Sequence, residues 1–170
     1  YVKQQVISNY QQKFNYQVLI ETGTYLGDMV HAQKKNFKEL YSIELSNTLY
    51  NKAKKRFYNN KHITLLQGDS GELLSELLSK IKEPTIFWLD GHYSKDITAK
   101  AALNTPIISE LKAVFNNNKN HVILIDDARC FNGTDDYPTI QELEQLIQTI
   151  SNSTYTITIQ DDIIHILPKK

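Results

Sequence analysis

The chain has 170 residues, a formal net charge of zero and a single cysteine. This length suits one domain with a buried core. The balanced charge argues against nucleic acid or an anionic membrane as a partner and favours a small substrate. Cys130 can form no internal disulfide, which favours a reduced, cytoplasmic setting. No apolar run approaches the ~20 residues that would span a bilayer.

The chain is expected to form a single domain over residues 1–170. Because it begins with Tyr1 rather than Met, it is compatible with one module of a longer protein. Residues 1–16 predict a leading helix with Val2, Val6, Ile7 and Tyr10 on one side. The sequence leaves the oligomeric state open.

Five apolar, β-branched segments then alternate with segments of helical period, which predicts a parallel sheet with crossover helices. These segments are 17–21, 40–44, 63–67, 85–90 and 122–126. Four of the five end in an acidic residue. A parallel sheet gathers the carboxyl ends of its strands along one edge, where open α/β folds bind ligands. Glu21, Glu44, Asp90 and Asp126 should therefore line one crevice.

Three helix starts are marked, two between these strands and one after the fifth. Asp69 and Glu72 have the spacing of a capping box, and so do Thr139 and Glu142. Pro106 suits a first helical turn and precedes an apolar stripe. Each of these helices has one apolar face to bury against the sheet.

The last part of the chain changes period. Two alternating apolar runs, 155–159 and 163–166, flank Asp161 and Asp162, which predicts an antiparallel hairpin. The predicted fold is Rossmann-like: a mostly parallel seven-stranded sheet that ends in an antiparallel hairpin, with helices on both faces. The polar stretch 91–104 has no clear period and is the predicted mobile loop, directly after an acidic strand end.

The first strand runs into the turn E-T-G-T-Y-L-G at residues 21–27. Glycines let the backbone turn tightly and approach a ligand, and the following helix offers N–H donors. Glu44, about 20 residues beyond the turn, is placed to accept hydrogen bonds from ribose hydroxyls. The spacing also permits NAD. However, Tyr25 stands where G-x-G-x-x-G needs its second glycine and would crowd a pyrophosphate.

This turn resembles the E-x-G-x-Y-x-G turn of the catechol O-methyltransferase group. Four further segments resemble the same group and the related macrolide-sugar O-methyltransferases, in the same order. They are Y-S-I-E at 41–44, I-T-L-L-Q-G-D-S at 63–70, F-W-L-D at 87–90 with His92 just beyond, and L-I-D-D at 124–127. The resemblance covers about residues 17–130, and its specificity lies in the shared order of five motifs.

The resemblance implies a class I methyltransferase that binds S-adenosylmethionine, because the hairpin-ended sheet is that group's variant of the Rossmann fold. The cofactor residues carried over from the motifs are Glu21, Thr22, Gly23, Thr24, Tyr25, Gly27, Glu44, Leu45, Asp69, Ser70 and Asp90. The resemblance also implies a divalent cation, usually Mg²⁺, on Asp90, Asp126 and Asp127. Hard oxygen ligands suit magnesium, which would lower the pKa of a bound hydroxyl.

The predicted catalytic residues are Asp90, His92 and Lys95. The resembling family uses a lysine shortly after its strand-four acid, which points to Lys95, but Gly91 is one extra residue here. Histidine titrates near neutrality and could take the substrate proton directly, so His92 is the preferred base.

These features lead to a metal-assisted O-methyltransferase that acts on a small-molecule or glycan acceptor, with a sugar hydroxyl favoured over a catechol. One alternative is a metal-independent methyltransferase in which His92 alone is the base. Another is a non-catalytic Rossmann module that binds a nucleotide or a partner without turnover. A dehydrogenase is the weakest alternative, because of the crowded glycine turn.

Overall fold

The structure is a computed structural model that describes residues 1–91, 105–152 and 154–169. In chain order its elements are α1 (Val2–Phe14), β1 (Val18–Thr22), α2 (Asp28–Gln33), β2 (Glu39–Glu44), α3 (Asn47–Arg56), β3 (Ile63–Gln67), α4 (Ser70–Lys80), β4 (Thr85–Leu89), α5 (Ile107–Asn116), β5 (Val122–Ile125), α6 (Ile140–Ile150), β6 (Tyr155–Gln160) and β7 (Ile163–Pro168). A short 3-10 turn, Ala128–Cys130, follows β5.

The seven strands form one sheet in the order β3-β2-β1-β4-β5-β7-β6. Strands β1 to β5 pair in parallel, whereas β7 runs antiparallel between β5 and β6. Asp161 and Asp162 join β6 to β7 with positive φ angles of 54° and 60°, as a tight two-residue hairpin turn requires. The predicted Rossmann-like sheet with its closing hairpin is confirmed.

Both faces of the sheet are covered, so the central strands are apolar at successive positions rather than alternating. Val18 and Ile20 point to a core shared with α4, α5 and α6, while Leu19 points to a second core under α1, α2 and α3. β1, β4 and β5 are buried along their whole length. The edge strands β3 and β6 are partly exposed.

The helix starts agree with the sequence in part. Thr139 and Glu142 form the predicted reciprocal capping box of α6. Asp69 does cap α4, but its carboxylate accepts from the N–H of Gly71, one residue before the Glu72 N–H that a capping box would use. Pro106 precedes α5 as its N-cap rather than lying in its first turn.

Helix α1 packs on the sheet through Ile7, which is fully buried, and its Tyr10 hydroxyl lies 2.8 Å from His165 Nδ1 on β7. Val2, which the sequence places on the same side as Ile7, is 59% exposed. Among the described residues, no helix combines the length and apolarity needed to cross a membrane.

Replacing Thr139 with Ala should destabilise the protein by roughly 1 kcal/mol, because the hydroxyl that accepts from the Glu142 N–H is lost, whereas the backbone N–H of residue 139 can still donate to Glu142. Urea denaturation would measure the change. Thr149→Ala is the matched control, since Thr149 lies inside the same helix and bonds only a carbonyl of the preceding turn. Equal losses in the two variants would contradict a capping role.

Candidate functional site

The carboxyl ends of the central strands open onto a pocket of about 1110 Å³. Its walls are the β1–α2 turn, the first residues of α1, and the ends of β4 and β5. Glu21, Asp90 and Asp126 line it, so three of the four strand-end acids share a crevice as predicted. Glu44 does not line this pocket; its carboxylate accepts hydrogen bonds from backbone N–H groups of the β1–α2 turn and the β2–α3 connection.

The β1–α2 turn is tight and packed against β4. Gly23 has φ +82°, and a Cβ at this position would collide with the carbonyl oxygen of Asp90. The Gly23 N–H donates to the Ile43 carbonyl at 2.9 Å, which ties the turn to β2 as well. Tyr25 also has a positive φ, 49°, and its side chain is 57% exposed at the pocket. Only glycine fits at residue 23 without moving the turn away from β4.

Glu44 stabilises the same turn through hydrogen bonds to its side-chain carboxylate. One carboxylate oxygen accepts from the Tyr25 N–H and the other from the Ser46 N–H, both at 2.8 Å. The side chain is almost fully buried. Each carboxylate oxygen has a further lone pair, so these bonds leave acceptor capacity for a ligand hydroxyl. Glu44 is therefore both a brace for the glycine turn and a candidate ribose acceptor.

Glu21 is buried under the turn, with 2% exposure. Burial raises its pKa to about 8, against the opposing effect of a 2.5 Å hydrogen bond donated by the Ser42 hydroxyl. The Ser42 and Thr24 hydroxyls lie 2.6 Å apart, which extends the bond into a chain. At neutral pH Glu21 keeps its proton, so it is a neutral group of the pocket floor.

A second buried acid, Glu110, was missed by the sequence analysis. It lies in the first turn of α5 with 1% exposure and accepts a 2.6 Å hydrogen bond from the Ser70 hydroxyl, at the start of α4. Burial raises its pKa to about 7. The available signal was an acidic residue at i+3 within the apolar stripe that begins at Ile107. Glu110 fixes the β3–α4 turn, where Asp69 and Ser70 were expected to contact the cofactor.

Asp126 and Asp127 follow β5 and hold protein cations. The Lys3 ammonium contacts Asp126 Oδ1 and lies 3.4 Å from Asp127 Oδ1. Arg129 lies 3.0 Å from Asp127 Oδ1 and also pairs with Asp162. Burial raises the pKa of Asp126, although Lys3 opposes that rise. Lys3 had no predicted role, because residues 123 positions apart show no spacing signal that would pair it with Asp126.

The predicted metal ligands do not fit a metal as they are arranged. Across residues 1–91, 105–152 and 154–169, no group of three or more His, Cys, Asp or Glu side chains has an arrangement that could hold a metal ion. The Asp126 and Asp127 carboxylates point at Lys3 and Arg129, which already neutralise them. Magnesium on Asp90, Asp126 and Asp127 thus stays a prediction that this geometry does not favour.

The predicted cofactor residues fall into four neighbouring groups. The β1–α2 turn carries Glu21, Thr22, Gly23, Thr24, Tyr25 and Gly27; the end of β2 carries Glu44 and Leu45; the turn after β3 carries Asp69 and Ser70; the end of β4 carries Asp90. The proposed bases His92 and Lys95 lie outside the described residues. Gly91, just before them, faces Glu110, whose Oε1 would lie 3.1 Å from a Cβ at that position.

Solved structures match nearly the whole chain, whereas no protein-family model and no curated protein sequence matches it. The chain is similar to an S-adenosylhomocysteine-bound methyltransferase from Podospora anserina, PaMTH1, at 14% identity and a TM-score of 0.69, over 99% of this chain and 78% of that one. It is also similar to the O-methyltransferase TomG from Streptomyces achromogenes, in complex with S-adenosylmethionine. That match has 12% identity and a TM-score of 0.69, over 98% of this chain and 80% of TomG.

The methyltransferase domain of bacterial CtHen1 matches at 12% identity and a TM-score of 0.62, over 97% of both chains. This domain is therefore close to the present chain in extent. The similarities establish that the chain has the Rossmann-like fold of class I methyltransferases.

Replacing Glu21 with Gln should make stability less dependent on pH. The folded carboxyl has a pKa of about 8 and its ordinary value is 4.5, so between these values the folded state holds a proton that the unfolded state has released. This contribution to stability is complete below pH 4.5 and is lost as the pH rises to about 8, by up to about 1.4 kcal/mol per pH unit. Urea denaturation from pH 5 to 8 would show the difference.

Glu110 titrates in the same direction, so the Glu21→Gln variant should keep part of the slope. Glu83→Gln, at an exposed position, should follow the parent protein across the range. Parallel pH profiles for Glu21→Gln and the parent would refute a protonated, buried Glu21.

Proposed function

We propose that this chain binds S-adenosylmethionine at the carboxyl edge of its sheet and transfers the methyl group to an oxygen of a small acceptor. The observation that carries the proposal is the β1–α2 turn, with Gly23 against Asp90 and Glu44 bound beneath it. This turn borders the large pocket in a chain with the methyltransferase fold.

The chemistry of the pocket suits this cofactor. S-adenosylmethionine carries a sulfonium, an ammonium and one carboxylate, so its net charge is positive. Among the described residues, the pocket is lined by four aspartates, Asp28, Asp90, Asp126 and Asp161. Within that part of the chain they outnumber the two cations that pair with them, Arg56 on Asp28 and Lys3 on Asp126, and the net negative charge attracts a cation. Met29 and Trp88 supply apolar wall beside these acids. The match of charge and surface supports binding of the donor at this position.

We assign different residues to the adenosine part and to the methionine part of the cofactor. Glu44 has lone pairs for the ribose hydroxyls, and Ser70, held by Glu110, stands at the turn where the resemblance expects the adenine. Asp90 and the Gly23–Thr24 backbone lie at the pocket, on the side expected for the methionine part. When bound, the cofactor supplies an electrophilic methyl group.

This chain's residues must orient the acceptor and remove its proton. Proximity and orientation provide much of the rate in such in-line transfers. His92, two residues beyond Asp90, is the base we propose, with Lys95 as the second choice, both on sequence grounds. Asp90 would position the acceptor or the donor beside it.

A sugar hydroxyl is the proposed acceptor. On the α1 and β5 side, Lys3, Gln4, Asp126 and Asp161 line the pocket with hydrogen-bonding groups, which suit a hydroxyl-rich molecule better than a flat aromatic ring. Asp126 and Asp127 are engaged with protein cations, so the metal-independent form of the reaction is favoured over the form assisted by Mg²⁺. No step in this proposal depends on a metal.

Calorimetric titration with S-adenosylmethionine should give micromolar binding to the parent chain. Gly23→Ala should weaken that binding by roughly tenfold or more, because the added methyl group pushes the turn off Asp90. The matched control is Gly133→Ala. Gly133 has the same positive φ, +83°, but does not border the pocket.

Gly23→Ala should lose more stability than Gly133→Ala, because its Cβ would collide with a backbone oxygen, whereas a Cβ at residue 133 would lie 3.1 Å from a side-chain methyl. Among folded variants, only Gly23→Ala should lose the cofactor. Circular dichroism would confirm that each variant is folded. A folded parent chain that binds no S-adenosylmethionine would contradict the proposal and leave a Rossmann module without this activity.

A further inference from the structure

Lys3 lies at the edge of the pocket on α1, a helix that contacts the rest of the domain along its length. Ile7 is fully buried, and the buried Gln33 of α2 donates to the Gln4 carbonyl at 2.8 Å. Tyr10 contacts His165 at the other end of the helix. The Lys3 side chain therefore projects from an anchored helix rather than from a loose terminus.

The charges around Lys3 alternate in sign. Asp126, Lys3, Asp127, Arg129 and Asp162 form a chain in which each cation lies between two carboxylates. The chain joins three separate parts of the fold: the start of α1, the end of β5 and the β6–β7 turn. Alternating charges support each other more than isolated pairs do.

Asp126 and Asp127 are neighbouring, largely buried carboxylates that need a cation. Their exposed side-chain fractions are 7% for Asp126 and 16% for Asp127, whereas Lys3 is 37% exposed. The Asp127 N–H donates to Asp126 Oδ1 at 2.7 Å, which fixes the two acids against each other. Two adjacent, largely buried carboxylates repel each other strongly unless a positive charge lies between them.

We propose that Lys3 is the built-in cation of the Asp126–Asp127 pair, so that its ammonium stands where the O-methyltransferase resemblance implies a metal ion. Among the described residues, Arg129 pairs with Asp127 but not with Asp126, so Lys3 is the cation that contacts both carboxylates. A divalent ion would have to displace Lys3 from both carboxylates before it could bind them.

The ammonium also faces the pocket, which Lys3 lines. An ammonium has three N–H donors, and the contacts with Asp126 and Asp127 use two of them. The third is available to an acceptor oxygen in the pocket; this last role rests on the proposed function, whereas the occupation of the carboxylate pair does not.

Manganese titration of the whole chain tests the occupation directly, with free Mn²⁺ followed by electron paramagnetic resonance. The parent chain should bind Mn²⁺ only weakly, with a dissociation constant of about 1 mM or more. Lys3→Met removes the charge but keeps the length of the side chain, and should bind Mn²⁺ at least roughly tenfold more tightly. Lys3→Arg keeps the charge and should bind as weakly as the parent.

Two further variants assign the effect to this site. Lys13→Met makes the same change at an exposed position of the same helix and should leave the affinity unchanged. Adding Asp126→Asn to Lys3→Met should abolish the gain. Equal affinity in the parent, Lys3→Met and Lys3→Arg chains, whether tight or too weak to measure, would overturn the proposal. S-adenosylmethionine binding is measured separately, so failure of the proposed function would leave this result interpretable.

Discussion

Carboxylates crowd the carboxyl edge of the sheet, and every one that is buried there must be neutralised inside the protein. The fold does this in a different way at each position. Glu21 keeps its proton beside Ser42, and Glu44 accepts two backbone N–H groups. Asp126 pairs with Lys3. These contacts determine the shape of the site, because each one connects a strand end to the strand, turn or helix that carries the partner group.

The same contacts connect stability to the proposed chemistry. Glu44 fixes the turn that borders the pocket, and Glu110 fixes the turn after β3 through Ser70. Lys3 pairs with Asp126, and this contact keeps the first turn of α1 at the wall of the pocket. Hydrogen bonds and ion pairs within the protein thus set the positions of the acids at this edge, an arrangement that suits the cationic methyl donor we propose.

The sequence predicted what depends on local pattern. The sheet followed from apolar periodicity, and the hairpin followed from the pair of aspartates at 161 and 162, which tolerate the positive φ angles found there. The glycine turn and three acids of the pocket followed from strand order. What it did not predict depends on long-range packing: the partner of Asp126 is 123 residues away in Lys3, and Glu110 reaches Ser70 only once α5 packs on α4.

A crystal structure of the chain with S-adenosylhomocysteine, the product left by methyl transfer, would test the proposed donor site most directly. We expect the ribose hydroxyls at Glu44, the adenine at the Ser70 turn and the sulfur in the pocket beside Asp90, with Lys3 still on Asp126. Density for the ligand elsewhere, or a folded crystalline chain that takes up none at saturating concentration, would contradict the claim that this edge of the sheet is a methyl-donor site.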